Sequence, residues 1–295
     1  MNRITELLGC EVPILQGAMG VISNPEMVAA VSRAGGYGFL ATIFAPDAAF
    51  VRDQVRQVKA LTDRPFGANL FAMSKLTAAF AHVLAEEGVR VVSFSGGSPK
   101  SFLSLFNELG IEFIAVTSTV RAAKGAAGAG AVAVVAEGSE SGGVQGFGGA
   151  STMVLVPQVV DAVDVPVVAA GGIADARGYR AALALGAEGV QMGTRFIATR
   201  ECAAHAAYKQ AILDADDLGT SLVDMDRFQI RALRTALLER LNQGEGSPSE
   251  LFTPRSTEES WLAGDLEAGL LPAGQVAGAI HGLLSVREVI QAMVA

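Results

Sequence analysis

Short apolar runs alternate with Ala-rich stretches of helical spacing from the N-terminus to Thr199. Eight runs read as strands: Val12–Ala18, Phe39–Ile43, Phe66–Phe71, Val89–Ser95, Ile111–Thr117, Ala131–Glu137, Val165–Ala170 and Gly189–Met192. Most are continuously apolar rather than alternating, which marks strands buried on both faces, as in a parallel sheet. Between them, Pro25–Ala34 has helical spacing, with Asn24 placed to cap it and proline at its first position. Pro46–Leu61 and Ala174–Leu185 are amphipathic, and Gly35-Gly36, Gly88, Gly110, Gly130 and Gly186 fall where helices would end. Eight strands, each followed by a connection long enough for a helix, predict an α/β protein built as a closed (β/α)8 TIM barrel. An open doubly wound sheet is the alternative, although no GxGxxG follows the first strand to support dinucleotide binding there.

Two regions break the rhythm. Residues 138–152, GSESGGVQGFGGAST, form a long Gly/Ser-rich loop after the sixth strand, and such loops inside compact domains are functional or mobile. After the eighth strand comes a polar appendage, Leu218–Ile280, with a helical stretch Arg231–Leu241, the linker NQGEGSPSE and a final helical part from Pro272. It has too few apolar residues for its own core. The expected organisation is therefore a barrel over residues 1–217 and a C-terminal helical extension over 218–295 packed against it.

The segment Ala169–Phe196 carries the first chemical signal. It reads as strand, Gly-Gly turn, helix, strand, Gly turn, at the ends of the seventh and eighth strands. In a barrel, that is where backbone N–H groups and a helix N-terminus hold a phosphate. Glycine there lets the backbone approach closely. The net charge of −8 and the lack of a basic run argue against nucleic acid and anionic membrane surfaces as partners. No apolar run has the length of a membrane span, and the N-terminus lacks the pattern of a secretory signal. Cys10 and Cys202 show no metal or disulfide spacing, so a reducing cytoplasm and structural thiols are expected, and no metal site is supported.

PILQGAMG (Pro13–Gly20), GANL (Gly67–Leu70), AEGSESGG (Ala136–Gly143), AAGGI (Ala169–Ile173), QMGTRF (Gln191–Phe196) and GQVAG (Gly274–Gly278) occur in this order. Together they resemble the nitronate monooxygenase family, formerly 2-nitropropane dioxygenases, which also contains FMN-dependent enoyl-acyl-carrier-protein reductases and some NAD(P)H:quinone reductases. The resemblance spans nearly the whole chain and is specific for the superfamily rather than for one reaction. It implies FMN at the C-terminal face of the barrel. Carried over by position, Asn69, Glu137, Gly142 and Gly143 would flank the flavin. Gly171, Gly172, Gln191, Met192, Gly193 and Thr194 would hold the phosphate, and Gly17 and Met19 would lie against the isoalloxazine ring. Many relatives have Gln where Glu137 stands.

One departure bears on the chemistry. Family members generally show Gly-Gly-His after the sixth strand, and that histidine is assigned as the base or active-site group. Here the position is Val144, which can neither accept nor donate a proton. The loop is also about two residues longer than the family pattern, with Phe147 between glycines. The only histidines are His82, His205 and His281. Each reads as structural or at the surface, with His281, shortly after GQVAG, the nearest substitute. The catalytic residue is thus unassigned. Glu140 reads as a solvated loop charge, Ser141 as a turn residue without an activating partner, and the methionines as core filling.

The resulting expectation is an FMN-dependent oxidoreductase that acts on a small molecule, oxidising alkyl nitronates with O2. The alternatives are an NAD(P)H-dependent enoyl or quinone reductase and an FMN-binding protein without turnover. A phosphosugar isomerase or aldolase on the same fold is a more distant option. A homodimer is left open.

Overall fold

A computed structural model of the protein describes residues 2–295. Its eight barrel strands are β1 (Ile14–Gln16), β2 (Tyr37–Leu40), β3 (Gly67–Phe71), β4 (Val91–Ser95), β5 (Glu112–Thr117), β6 (Ala133–Glu137), β8 (Val167–Ala170) and β9 (Gly189–Met192), with β7 (Gly143–Gln145) lying outside the barrel. The strands pair in parallel in that order, and β9 closes back onto β1. This is the predicted (β/α)8 barrel. Each expected strand is present, mostly trimmed by one to three residues; β2 instead begins two residues earlier, directly after the Gly35-Gly36 turn.

Local chemistry sets the helices between the strands. Asn24 Oδ1 accepts the Met27 N–H at 3.1 Å and starts the helix Pro25–Arg33. Asp47 Oδ1 accepts the Phe50 N–H at 2.8 Å and starts Ala48–Leu61. Asp175 Oδ1 accepts the Arg177 N–H at 2.9 Å and starts Ala176–Ala184. Each cap satisfies an otherwise orphaned amide of the first turn.

Side chains alternate across each strand. Ile14, Ala68, Leu70, Val92, Phe94, Val134, Ala136, Val167, Ala169, Val190 and Met192 face outward and join the helices in one large core. Leu15, Tyr37, Phe39, Val91, Ile114, Ala133, Val135, Val168 and Ala170 face inward and fill the barrel, with the first helix, Arg3–Leu8, plugging its lower end through Ile4 and Leu8.

The extension differs from the expected all-helical form. Its first part is a β-hairpin, β10 (Thr220–Asp224) and β11 (Gln229–Leu233), and β11 pairs antiparallel with β7. The stretch Arg231–Leu241 is therefore split: its first three residues complete β11, and the helix runs over Ala236–Asn242, capped by Thr235. Periodicity misleads here because Ile230 and Ala232 bury one face of a strand while Arg231 reaches back to the loop. The Gly-rich segment 138–152 is accordingly anchored rather than free. It supplies β7, and Arg231 Nε donates to the Ser139 carbonyl at 3.0 Å. The final part is a short 3-10 turn, Gln275–Ala279, and the helix Val286–Val294.

No helix is long and apolar enough to cross a membrane among the described residues. Both cysteines are free; burial pushes the Cys10 thiol up to about 11 and raises that of Cys202, so neither is a ready thiolate.

Candidate active site

The inward-facing positions at the C-terminal ends of the strands are polar, in contrast to the filled interior below. Asn69 continues the inward row of β3, Ser93 and Ser95 that of β4, Glu137 that of β6 and Gln191 that of β9. Register places Glu137 beside Ala170 and Ala170 beside Gln191, so a small side chain separates two polar ones. Above this layer lies one cavity, and Gly17, Met19, Asn69, Glu137, Gly142, Gly143, Gly171, Gly172, Gln191, Met192, Gly193 and Thr194 all line it. The structure therefore brings to one place all twelve residues that the resemblance assigned to the cofactor. Met192 also belongs to the outer core, where its side chain is buried.

The two Gly turns leave main chain open to the cavity. Gly171 and Gly172 have φ of 99° and 73°, a region that L side chains rarely adopt. A Cβ on Gly171 would lie 2.9 Å from Thr152 Oγ1 and 3.0 Å from the Gly138 carbonyl. The amides of Gly172, Ile173, Gly193 and Thr194 donate no hydrogen bond among the described residues. Thr194 Oγ1 accepts the Gly274 N–H at 2.9 Å, which ties the GQVAG segment to the end of β9.

Glu140 is not the solvated charge expected. Its carboxylate accepts the Thr152 N–H at 2.9 Å and approaches Thr152 Oγ1 at 3.0 Å. It thus caps the helix Thr152–Val160, whose own N-cap residue, Ser151, makes no side-chain cap. Arg231 stands behind it, its guanidinium pKa lowered by burial and partly restored by the Glu140 charge.

Glu137 has no such partner. Burial pushes its carboxyl up to about 7, outweighing the Ser141 hydroxyl beside it, which pulls the other way. Ser141 Oγ does not reach hydrogen-bond geometry: it is buried without a partner among the described residues, as is Gln191 Oε1. Two orphaned polar atoms thus lie on the wall of one cavity, where an incoming polar group, water included, would satisfy them. Asn69 is partly committed, its amide donating to the Ser93 carbonyl and Ser95 Oγ at 3.1 Å.

Val144 sits on β7 opposite Ile230, half-buried, on the cavity wall. Phe147 lies outside the cavity and is exposed. His82, His205 and His281 are exposed and away from it, and His205 Nδ1 caps the helix Ala206–Leu213. Among the described residues no cluster of His, Cys, Asp or Glu is arranged to hold a metal.

The roof was not legible in the sequence. Phe44 meets Phe252 and Trp261 edge-on, with ring centroids 5.5 and 6.4 Å apart, and all three line the cavity. Trp261 Nε1 donates to the Leu270 carbonyl at 2.7 Å, and the Tyr208 hydroxyl donates to the Pro272 carbonyl at 2.6 Å. The one signal was the single tryptophan of the chain, placed in a segment otherwise poor in apolar residues.

With the geometry in place, comparison with known proteins settles the family. The sequence profile of nitronate monooxygenase matches residues 1–295. The chain belongs to the nitronate monooxygenase family. It is 33% identical to a (3aS,4S,5R,7aS)-5-hydroxy-7a-methyl-1-oxo-octahydro-1H-indene-4-carboxyl-CoA dehydrogenase of Mycobacterium tuberculosis, over 99% of this chain and 94% of that one. Its fold matches FabK from Thermotoga maritima with a TM-score of 0.92 and 37% identity, covering 100% of this chain and 95% of that one. It also matches a nitroalkane oxidase from Streptomyces ansochromogenes with a TM-score of 0.85 and 30% identity, covering 99% and 96%. The protein is an enzyme of the oxidoreductase class, and members of this family are in general flavin-dependent.

Proposed function

We propose that the mouth of the barrel binds FMN and that the enzyme oxidises alkyl nitronates with O2. The observation that carries the reading is the cradle of unpaired amides at Gly172, Ile173, Gly193 and Thr194, in a chain whose full length matches the family. These amides would take the FMN phosphate. Gln191 and Ser141, each with an orphaned buried oxygen, would turn toward the polar edge of the flavin, and Gly17, Met19 and Asn69 would line its ring. FMN supplies the electron acceptor; the chain's part is to hold it and to exclude water beneath the aromatic roof. A nitronate is already deprotonated, so its oxidation does not call on the histidine that Val144 replaces. The test is O2 uptake by FMN-loaded enzyme with ethyl nitronate. Turnover well above the rate in buffer supports the reading; uptake at the buffer rate defeats it.

A second reading is favoured by the charge of the cavity. Its ionisable lining residues are Glu137, Glu140 and Tyr208, with no lysine, arginine or histidine among them. Such a wall suits a neutral apolar substrate better than an anion. Hydride exchange between a nicotinamide and FMN, with an enoyl, quinone or acyl thioester partner, fits that wall, and the M. tuberculosis relative carries the name of a CoA-thioester dehydrogenase. Bleaching of the oxidised flavin band by NADH or NADPH under anaerobic conditions would support this reading. FMN that binds but responds to neither nicotinamide nor nitronate would leave a flavin-binding protein without turnover.

A further inference from the structure

We propose that Glu137 is the proton-transfer residue of this site, a carboxylate in place of the family's histidine, and that it acts on neutral carbon acids whose C–H bond is activated by an adjacent nitro or carbonyl group. The proposal rests on the cavity being the reaction site argued above. Three observations carry it. Glu137 closes the inward-facing row of β6 above Ala133 and Val135, so the strand's own period aims it into the cavity rather than at a helix. Its neighbour in register is Ala170, too small to cover it. Every other acid–base group on the cavity wall is committed: Glu140 to the capped helix at Thr152, and the Tyr208 hydroxyl to the Pro272 carbonyl.

The Glu137 side chain, by contrast, has only the Ser141 hydroxyl beside it and forms no ion pair among the described residues, although it lies on the cavity wall. A carboxylate held there without a partner destabilises the fold. Nothing in the packing requires it, since glutamine has the same shape. Unpartnered titratable groups in clefts are the pattern of a functional acid or base. The polar side chains that share the cavity wall with it are Ser141 from its own loop, Asn69 from β3, Ser93 from β4 and Gln191 from β9, all uncharged, together with the Tyr208 hydroxyl bonded to Pro272 and Glu140, whose carboxylate is taken up at Thr152. Its pKa near 7, set by burial alone against Ser141, suits a group that must both take and return a proton at neutral pH.

The step is a proton transfer and is balanced as such. The substrate C–H bond breaks, the proton passes to a carboxylate oxygen of Glu137, and the electron pair stays on the substrate, delocalised onto the nitro or carbonyl oxygen. In the reverse direction Glu137 returns the proton to that carbon.

The step is visible without turnover. FMN-loaded enzyme is held under anaerobic conditions in D2O with nitroethane, and loss of the methylene proton signal is followed by NMR. The wild type is expected to speed exchange well above the buffer rate, with a rise in rate centred near pH 7. Glu137→Gln is expected to lower that exchange by about 100-fold or more, and Glu137→Asp to retain part of it with a shifted midpoint. The flavin absorption band reports that each variant is folded and loaded. Exchange by the wild type no faster than in buffer, or undiminished exchange in a loaded Glu137→Gln enzyme, overturns the proposal. Failure of the wild type to hold FMN would instead defeat the functional reading beneath it.

Discussion

The barrel interior holds two layers on the same strands, and they follow opposite rules. In the lower layer Leu15, Phe39, Ile114, Val135 and Val168 are fully buried, and the space is filled. In the layer above, Asn69, Glu137 and Gln191 face an open cavity, and the wall retains polar atoms without partners. The lower layer is built for stability, since each side chain there gains from burial and close packing. The upper layer gives up stability to keep polar groups ready for a ligand, which is how sites and folds differ in what they conserve energetically.

The sharpest way to break this contrast is to mutate both layers and compare signs. Phe39→Ala removes a fully buried ring and is expected to cost about 3–5 kcal/mol. Urea unfolding should show that loss, while FMN affinity of the folded fraction stays close to wild type. Glu137→Gln should move the other way. Between pH 4.5 and about 7 the folded protein keeps a proton on Glu137 that the unfolded chain releases, so its stability falls as pH rises through that window. The variant lacks this fall. It should therefore be more stable than the flavin-free wild type by on the order of 2–3 kcal/mol at pH 8, with little difference at pH 4. Equal stability at both pH values would mean that Glu137 carries no burial penalty.

Gly142→Ala probes the seam between the barrel and its extension. The added Cβ would lie 2.5 Å from the Ala273 carbonyl carbon and the Gly274 nitrogen, so main chain must move. A loss of about 1–3 kcal/mol is expected, with weaker FMN binding because Gly274 is bonded to Thr194. Wild-type stability together with wild-type affinity would show that the seam is loose. Gln191→Leu should leave stability near wild type or slightly raised while lowering FMN affinity about tenfold, because a buried oxygen without a partner is removed along with a ligand contact. The smallest effect is expected from Val144→His, a gain of a few fold in anaerobic nitroethane exchange, since position 144 already lies on the cavity wall. No gain with FMN still bound would place the ring out of reach of the substrate carbon.

The barrel was legible because its strands are continuous apolar runs and its helix starts carry Asn24, Asp47 and Asp175 in capping positions. The site was legible because glycines and strand-end polar residues sit in ordered motifs. The hairpin β10–β11 was hidden, since Gln229–Leu233 buries one face against β7, a partner nearly ninety residues away in sequence. The role of Glu140 was hidden for the same reason: its partner, Thr152, lies across a loop whose path no local pattern dictates. The aromatic roof joins Phe44 to Phe252 and Trp261, and only tertiary packing brings those segments together.

The central claim is that the unpaired amides at the ends of β8 and β9 hold a phosphate and so define an FMN site. It is tested most directly by titrating flavin-free protein with FMN and with riboflavin, following quenching of flavin fluorescence. Two or more amide bonds to a charged group predict that FMN binds on the order of 100-fold or more tighter than riboflavin. Equal affinity for the two would contradict the account, because the glycine turns would then have a packing role and the phosphate would lie elsewhere.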